Sequence, residues 1–160
     1  MKARETISVW LVLEDGPNKG KFVLQKRAES EKHFPFVCQA TWAGKVEPDE
    51  TIENAVTREC QEEVGDDFAK NFDFSKLELL SKESFIMDDE EWNSYNYLGK
   101  IKEELLGLVK IHQDAESEFI FVDEGNLICS LDSGKSPKDN IVLFNDQYKV
   151  FKKLINENKE

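Results

Sequence analysis

The chain has 160 residues, of which 39% are hydrophobic and 11% aromatic, enough to fill the core of one compact domain spanning 1–160. Its net charge of −12, with no Lys/Arg stripe, argues against nucleic acid polymers and anionic membranes as partners. A small polyanion carried in with a divalent cation remains open, because the metal reverses the local field and acidic side chains become its ligands.

Three cysteines, Cys38, Cys60 and Cys129, are widely spaced and form no CxxC pair, so free thiols in a reducing compartment are expected and neither a disulfide framework nor a zinc site is. The opening MKARETISVWLVLED has an apolar run broken by Ser8 and ended by Glu14 and Asp15, which suits a strand better than a signal peptide. No run approaches the ~18 apolar residues of a membrane helix. A cytoplasmic protein, monomer or homodimer, is the expectation.

In chain order, residues 6–13 read as a β-rich run, DGPNKG as a six-residue connection, and GKFVLQKRA as the second arm of a hairpin. After a loop, a short strand is expected around 38–46. Pro48, Asp49 and Thr51 are start signals for a helix over 51–64 that Gly65 stops. Further strands are expected at 76–87, 92–101 and 117–122. The stretch KEELLGLVKIHQDAE between the last two has room for a short strand. A C-terminal amphipathic helix over 141–156 follows from Val142, Phe144, Tyr148, Phe151 and Leu154. The order implies a single mixed α/β domain.

RECQEEVG, 58–65, sets three glutamates within five residues, which weakens a helix through like-charge repulsion. At about 100° per residue, Glu59 and Glu63 continue the inward line of Ile52 and Val56, with Glu62 at the edge of that stripe. A surface Arg58–Glu62 pair does not explain carboxylates on an inward face, where an unpaired charge is expensive to desolvate. Either they stay protonated or a hard cation sits between them, taking oxygen ligands and keeping waters for substrate phosphates. Gly44 has two readings, an ordinary turn glycine or a close backbone approach that presents carbonyls.

Together, Gly44, Glu50 and the run Arg58, Glu59, Glu62, Glu63, Gly65 resemble the signature of the Nudix hydrolases, G-x5-E-x7-R-E-U-x-E-E-x-G-U, at every fixed position. Cys60 and Asp66 stand where the pattern has bulky aliphatics, and Ala43 stands where the family often has a further glycine. The resemblance implies an α/β/α sandwich around a mixed β-sheet and Mg²⁺- or Mn²⁺-dependent hydrolysis of a nucleoside diphosphate linked to another moiety. It implies Glu59 and Glu63 as core metal ligands, Glu62 as a further ligand or water-orienting carboxylate, Glu50 and Arg58 as orienting partners, and Gly44 as a carbonyl contributor. The proton-accepting acid is a box glutamate, Glu62 or Glu63, or an acid from a later segment, Glu118 with Glu116 as its alternative; Glu103 and Glu104 are weaker candidates.

For the small nucleotide substrate, Arg27 is a candidate phosphate contact. In WNSYNYLG, alternation puts Trp92, Ser94 and Asn96 on one face and Asn93, Tyr95 and Tyr97 on the other, with Tyr95 and Tyr97 as candidate base contacts. Two other readings share the implied fold: an isopentenyl-diphosphate-isomerase-like enzyme with Cys38 as its thiol, and a non-catalytic nucleotide sensor. The intact glutamate set speaks against the sensor.

Overall fold

The computed structural model describes residues 3–109 and 117–157. The first strand, β1 (Arg4–Leu13), is buried on both faces through most of its length. Ile7, Val9, Leu11 and Leu13 pack on one side with Ala55, Val56, Cys60, Val64 and Phe68, while Trp10 and Val12 pack on the other with Val150, Phe151 and Leu154. That period-two split makes β1 the middle layer between two helical layers. The architecture is the α/β/α sandwich around a mixed sheet.

Nine strands form this sheet among the described residues. They are β1, β2 (Phe22–Lys26), β3 (Cys38–Gln39), β4 (Trp42–Lys45), β5 (Glu78–Met87), β6 (Glu90–Ile101), β7 (Glu118–Val122), β8 (Ile128–Ser130) and β9 (Ile141–Leu143). The path runs β5-β6-β1-β2-β3-β9-β8, with β4 added to β1 and β7 to β2. β6 is parallel to β1 along its whole length, and β4 is antiparallel to it.

The expected hairpin is present, but its strands end at Leu13 and resume at Phe22, so the connection is longer than DGPNKG. β1 and β2 pair only at Leu11↔Val23 and Val12↔Phe22 and then diverge. The segment expected as one strand over 38–46 fills that fork as two pieces, β3 on β2 and β4 on β1. Thr41 sits at the apex, 1% exposed, accepting a hydrogen bond from Leu11 N–H at 3.0 Å and donating one to Val23 C=O. Its hydroxyl stands in for a ladder bond where the strands part.

The first helix, α1 (Ile52–Glu63), begins as expected: Thr51 caps it, accepting from Asn54 N–H at 3.1 Å. Gly65 ends it at φ 120°, a conformation open to glycine. A second short helix, α2 (Asp66–Asn71), which the sequence reading lacked, follows at once. Asp66 therefore has no packing duty. It is exposed in a helix first turn beside Asp67, where acids suit the dipole, while Phe68 and Ala69 fill the core. The C-terminal helix, α3 (Asn145–Glu157), is shorter than expected because Ile141–Leu143 pairs in parallel with β8, itself unforeseen. Between β6 and β7, Glu103–Leu108 forms a 3₁₀ turn, and residues 110–116 of the stretch with room for a short strand lie outside the described residues. Glu116, the alternative acid, is among these.

Thr41→Val keeps the shape but leaves Leu11 N–H and Val23 C=O buried without partners. Loss of about 2 kcal/mol or more of unfolding free energy is expected in urea titration, with Thr41→Ser close to the parent.

Candidate active site

The fork brings β4 beneath α1. Trp42 and Gly44 pair with Val9 and Ile7 and so share the face that α1 covers, and the Trp42 indole donates to Val56 C=O at 3.0 Å, fixing helix to strand. A methyl group on Gly44 would fall within 3.0 Å of the carboxylate carbon and both oxygens of Glu59. Glycine is thus required here for close approach, the second of its two sequence readings. One turn on, Glu63 Oε2 accepts from Ala43 N–H at 3.1 Å. Ala43 can stand in this position because the contact uses its backbone alone.

Arg58 organises the surrounding acids. It grips Glu50 through Nε at 2.8 Å and Nη2 at 3.0 Å, Glu59 through Nη1 at 2.9 Å, Glu62 through Nη1 at 3.2 Å, and Lys45 C=O through Nη2 at 2.9 Å. A planar fork of donors is suited to this; a lysine is not. Hydrogen bonds from Arg58 and then from Glu47 N–H hold the Glu50 carboxyl down at about 2. The guanidinium is itself pushed up, chiefly by its bond to Glu50.

Glu59 and Glu63 behave in the opposite way. Burial raises both, Glu63 to about 8, with the negative charge of Glu59 adding to the effect on Glu63. The two carboxyls lie close enough to interact, and that contact favours the protonated form of Glu63 and the ionised form of Glu59. The helical wheel is borne out: Glu59 is 13% exposed and Glu62, at the stripe's edge, 55%.

Among the described residues, no three His, Cys, Asp or Glu side chains converge as a ready-made metal cage. Glu59 and Glu63 meet, while Glu62 leans to Arg58. Two carboxylates form a hard, partial donor set, which fits a small divalent cation that also takes waters and substrate oxygens.

The other sequence candidates separate. Glu118, exposed, pairs with Lys26 at the start of β7; the register turns it with Ile120 and Val122 toward the α3 side, away from the carboxylate pair. Arg27 is engaged by its own loop, donating to His33 C=O at 3.1 Å and Glu31 Oε2 at 3.3 Å. Glu103 Oε1 accepts from Asn18 and clips the β1–β2 connection, leaving no described link to the box. Tyr95 and Tyr97 take the α1 side as alternation required, half-buried against that core. Tyr95 lies in one row with Ile7 and Gly44 and donates to Glu5 Oε2 at 2.8 Å. Burial, then nearby Glu53, raises Tyr97. Cys38 is fully buried in the α3-side core, and burial lifts its thiol to about 11, which removes the feature behind an isomerase-like reading.

What the sequence reading missed is a cavity of about 270 Å³ on the α3 side of the sheet, touching Ala43, Gly44 and Lys45 and walled by Phe85, Trp92 and Asp146. Alternation had already separated Trp92 from the tyrosines. The cross-strand register decides which set meets this cavity.

The fold and box together define a Nudix hydrolase domain. Residues 4–144 match the NUDIX domain model, and the chain belongs to that family. Among solved structures, it resembles a MutT protein from Methanosarcina mazei Go1 at 18% identity, covering 99% of this chain and 96% of that one with a TM-score of 0.60. A MutT/nudix family protein from Enterococcus faecalis matches at 23% identity over 78% of this chain, with a TM-score of 0.58. This chain spans only 46% of that one. A C. elegans Ap4A hydrolase in a binary complex matches at 15% identity, 73% and 79% coverage and a TM-score of 0.51. A comparison with curated proteins gave no match. No helix among the described residues is long and apolar enough to cross a membrane.

Two outcomes follow for the metal-free protein and its variants. Below about pH 4.5 folded and unfolded chains both hold the Glu63 proton. From there to about 8 only the folded chain does, so stability falls as pH rises through this window. Glu63→Gln should flatten that part of the profile in thermal melts. Gly44→Ala should weaken Mn²⁺ binding at least tenfold by spin resonance, with the fold intact by circular dichroism, because the added methyl displaces Glu59.

Proposed function

We propose that this chain is a Mg²⁺- or Mn²⁺-dependent pyrophosphohydrolase that cleaves a nucleoside diphosphate linked to another moiety. The observation that carries the reading is the carboxyl pair Glu59–Glu63 on the inward stripe of α1, Glu59 pressed against the bare Cα of Gly44 and Glu63 held by Ala43 N–H. Burial disfavours the ionised form of both carboxyls, so a cation between them is a favourable partner.

Glu59 and Glu63 would hold the metal, with Glu62 and the Gly44 carbonyl as further oxygens. When bound, the cation neutralises diphosphate charge and makes a water more acidic. The chain's own residues account for the rest. Arg58, itself anchored by Glu50, sets the angle of Glu59, so that carboxylate keeps its position as phosphate arrives. Ala43 N–H orients Glu63. Glu62, mostly exposed and held by one 3.2 Å bond, is free to turn toward the attacking water and accept its proton. Glu118 is a less supported base, given its register opposite Lys26. Water adds to one phosphorus, the bridging oxygen leaves with its electron pair, and the proton passes through the carboxylate to solvent, so two phosphate-bearing products result.

The test is a substrate panel of nucleoside triphosphates, NDP-sugars and dinucleotides, scored for phosphorus products with Mg²⁺, with Mn²⁺ and with chelator. Metal-dependent turnover of at least one is expected. In Glu63→Gln kcat should fall by about 10³ or more without unfolding, whereas full activity in that variant removes the assignment.

A further inference from the structure

Three successive residues of β4 meet α1 at three points along one helix face. The Trp42 indole N–H donates to Val56 C=O at 3.0 Å, Ala43 N–H donates to Glu63 at 3.1 Å, and the bare Cα of Gly44 lies against the Glu59 carboxylate. Val56, Glu59 and Glu63 stand at i, i+3 and i+7, so a slide or roll of the helix over the strand disturbs all three contacts together. A further polar link, from Arg58 Nη2 to Lys45 C=O, lies toward the exposed edge of the site.

Two of the three contacts end on carboxylates that turn to a cation in the proposed reading. The tryptophan's ends on a backbone carbonyl, so a cation does not compete with it. Its surroundings hold it still: Trp42 is fully buried, and Phe68, Phe72 and Phe74 meet its ring edge-on at 6.3, 5.7 and 6.4 Å. These rings come from α2 and the turn that follows it. Val56 C=O is also the intrahelical acceptor for Cys60 N–H, so the indole is not needed to satisfy it. What the indole bond adds is a fixed height of α1 over β4.

We propose that Trp42 is a positioning residue of the cation site, its indole N–H fixing the height at which Glu59 and Glu63 face one cation. The role rests on the cation site of the proposed reading and is independent of the substrate. Mg²⁺ holds its oxygens at about 2.0–2.1 Å in near-octahedral order, so a displacement of about 1 Å in one carboxylate is enough to weaken binding.

The full chain expressed with benzothienylalanine in place of tryptophan tests this. Sulfur then replaces the indole N–H of all three tryptophans at nearly unchanged shape. Those of Trp10 and Trp92 have no acceptor among the described residues, so the hydrogen bond lost is Trp42's. Mn²⁺ affinity by spin resonance is expected to fall at least fivefold. In the metal-free analogue chain the Ala43 amide should exchange with solvent at least tenfold faster by NMR, with Leu11 N–H, bonded to Thr41, as protected as before. Phe151→Leu, fully buried in the α3-side core, is the control for general loss of stability. It should lower the melting temperature and leave Mn²⁺ affinity within twofold of the parent. An analogue chain that loses less than fivefold in Mn²⁺ affinity, Ala43 and Leu11 amides that lose protection together, or an equal Mn²⁺ loss in Phe151→Leu would overturn the proposal. No Mn²⁺ binding by the parent would remove the cation site and this role with it. The expected pattern without hydrolysis across the substrate panel supports the role and counts against the proposed reaction alone.

Discussion

Two carboxylates set side by side on the inward stripe of one helix are the constraint around which this site is built. Glu59 and Glu63 occupy the inward stripe of α1, where two full negative charges cannot coexist without a partner. Every neighbouring feature serves that pair. Gly44 lacks a side chain so that Glu59 can lie against it; Ala43 supplies an N–H to Glu63; Arg58 spreads its five donors over Glu50, Glu59, Glu62 and the Lys45 carbonyl. The electrostatic cost is local, and in the proposed reading a divalent cation relieves it.

Support for that local arrangement comes from far along the chain. β1, buried on both faces, carries β4 on one edge and β6 on the other, so the box glycine and the aromatic residues of β6 are fixed in register through one strand. Thr41 opens the fork that admits β4, and Gln147 pins the start of α3 to Ala40 and Ser8 at the same fork. The α3-side cavity is bounded by the strand that carries the box and by the first turn of the last helix. The carboxylate pair and this cavity thus flank the same strand, β4, from opposite faces of one sheet.

Much of the site was legible in the sequence because helix geometry is regular. The spacing of Glu59 and Glu63 from Ile52 and Val56 predicts their inward direction, and it is observed. Asp66 was harder. A polar residue after a helix-ending glycine reads as a breakdown of packing, yet it opens a second helix whose Phe68 and Ala69 do the packing. A three-residue apolar run such as Ile141–Leu143 carries no period of its own and reads as part of the last helix; pairing with β8 makes it a strand. The fork at Thr41 rests on partners 18 and 30 residues away, which no local pattern reports. Alternation in β6 correctly divided Trp92 from Tyr95 and Tyr97, but the cavity beside Gly44 belongs to the tryptophan's face.

The central claim is that the Glu59–Glu63 pair is half of a cation site completed by water and substrate. Crystals of the protein soaked in Mn²⁺, with diffraction measured at the manganese absorption edge, test it most directly. An anomalous peak is predicted against the carboxylates of Glu59 and Glu63, within reach of the Gly44 carbonyl. Full occupancy elsewhere on the acidic surface with no peak between those two carboxylates would contradict it.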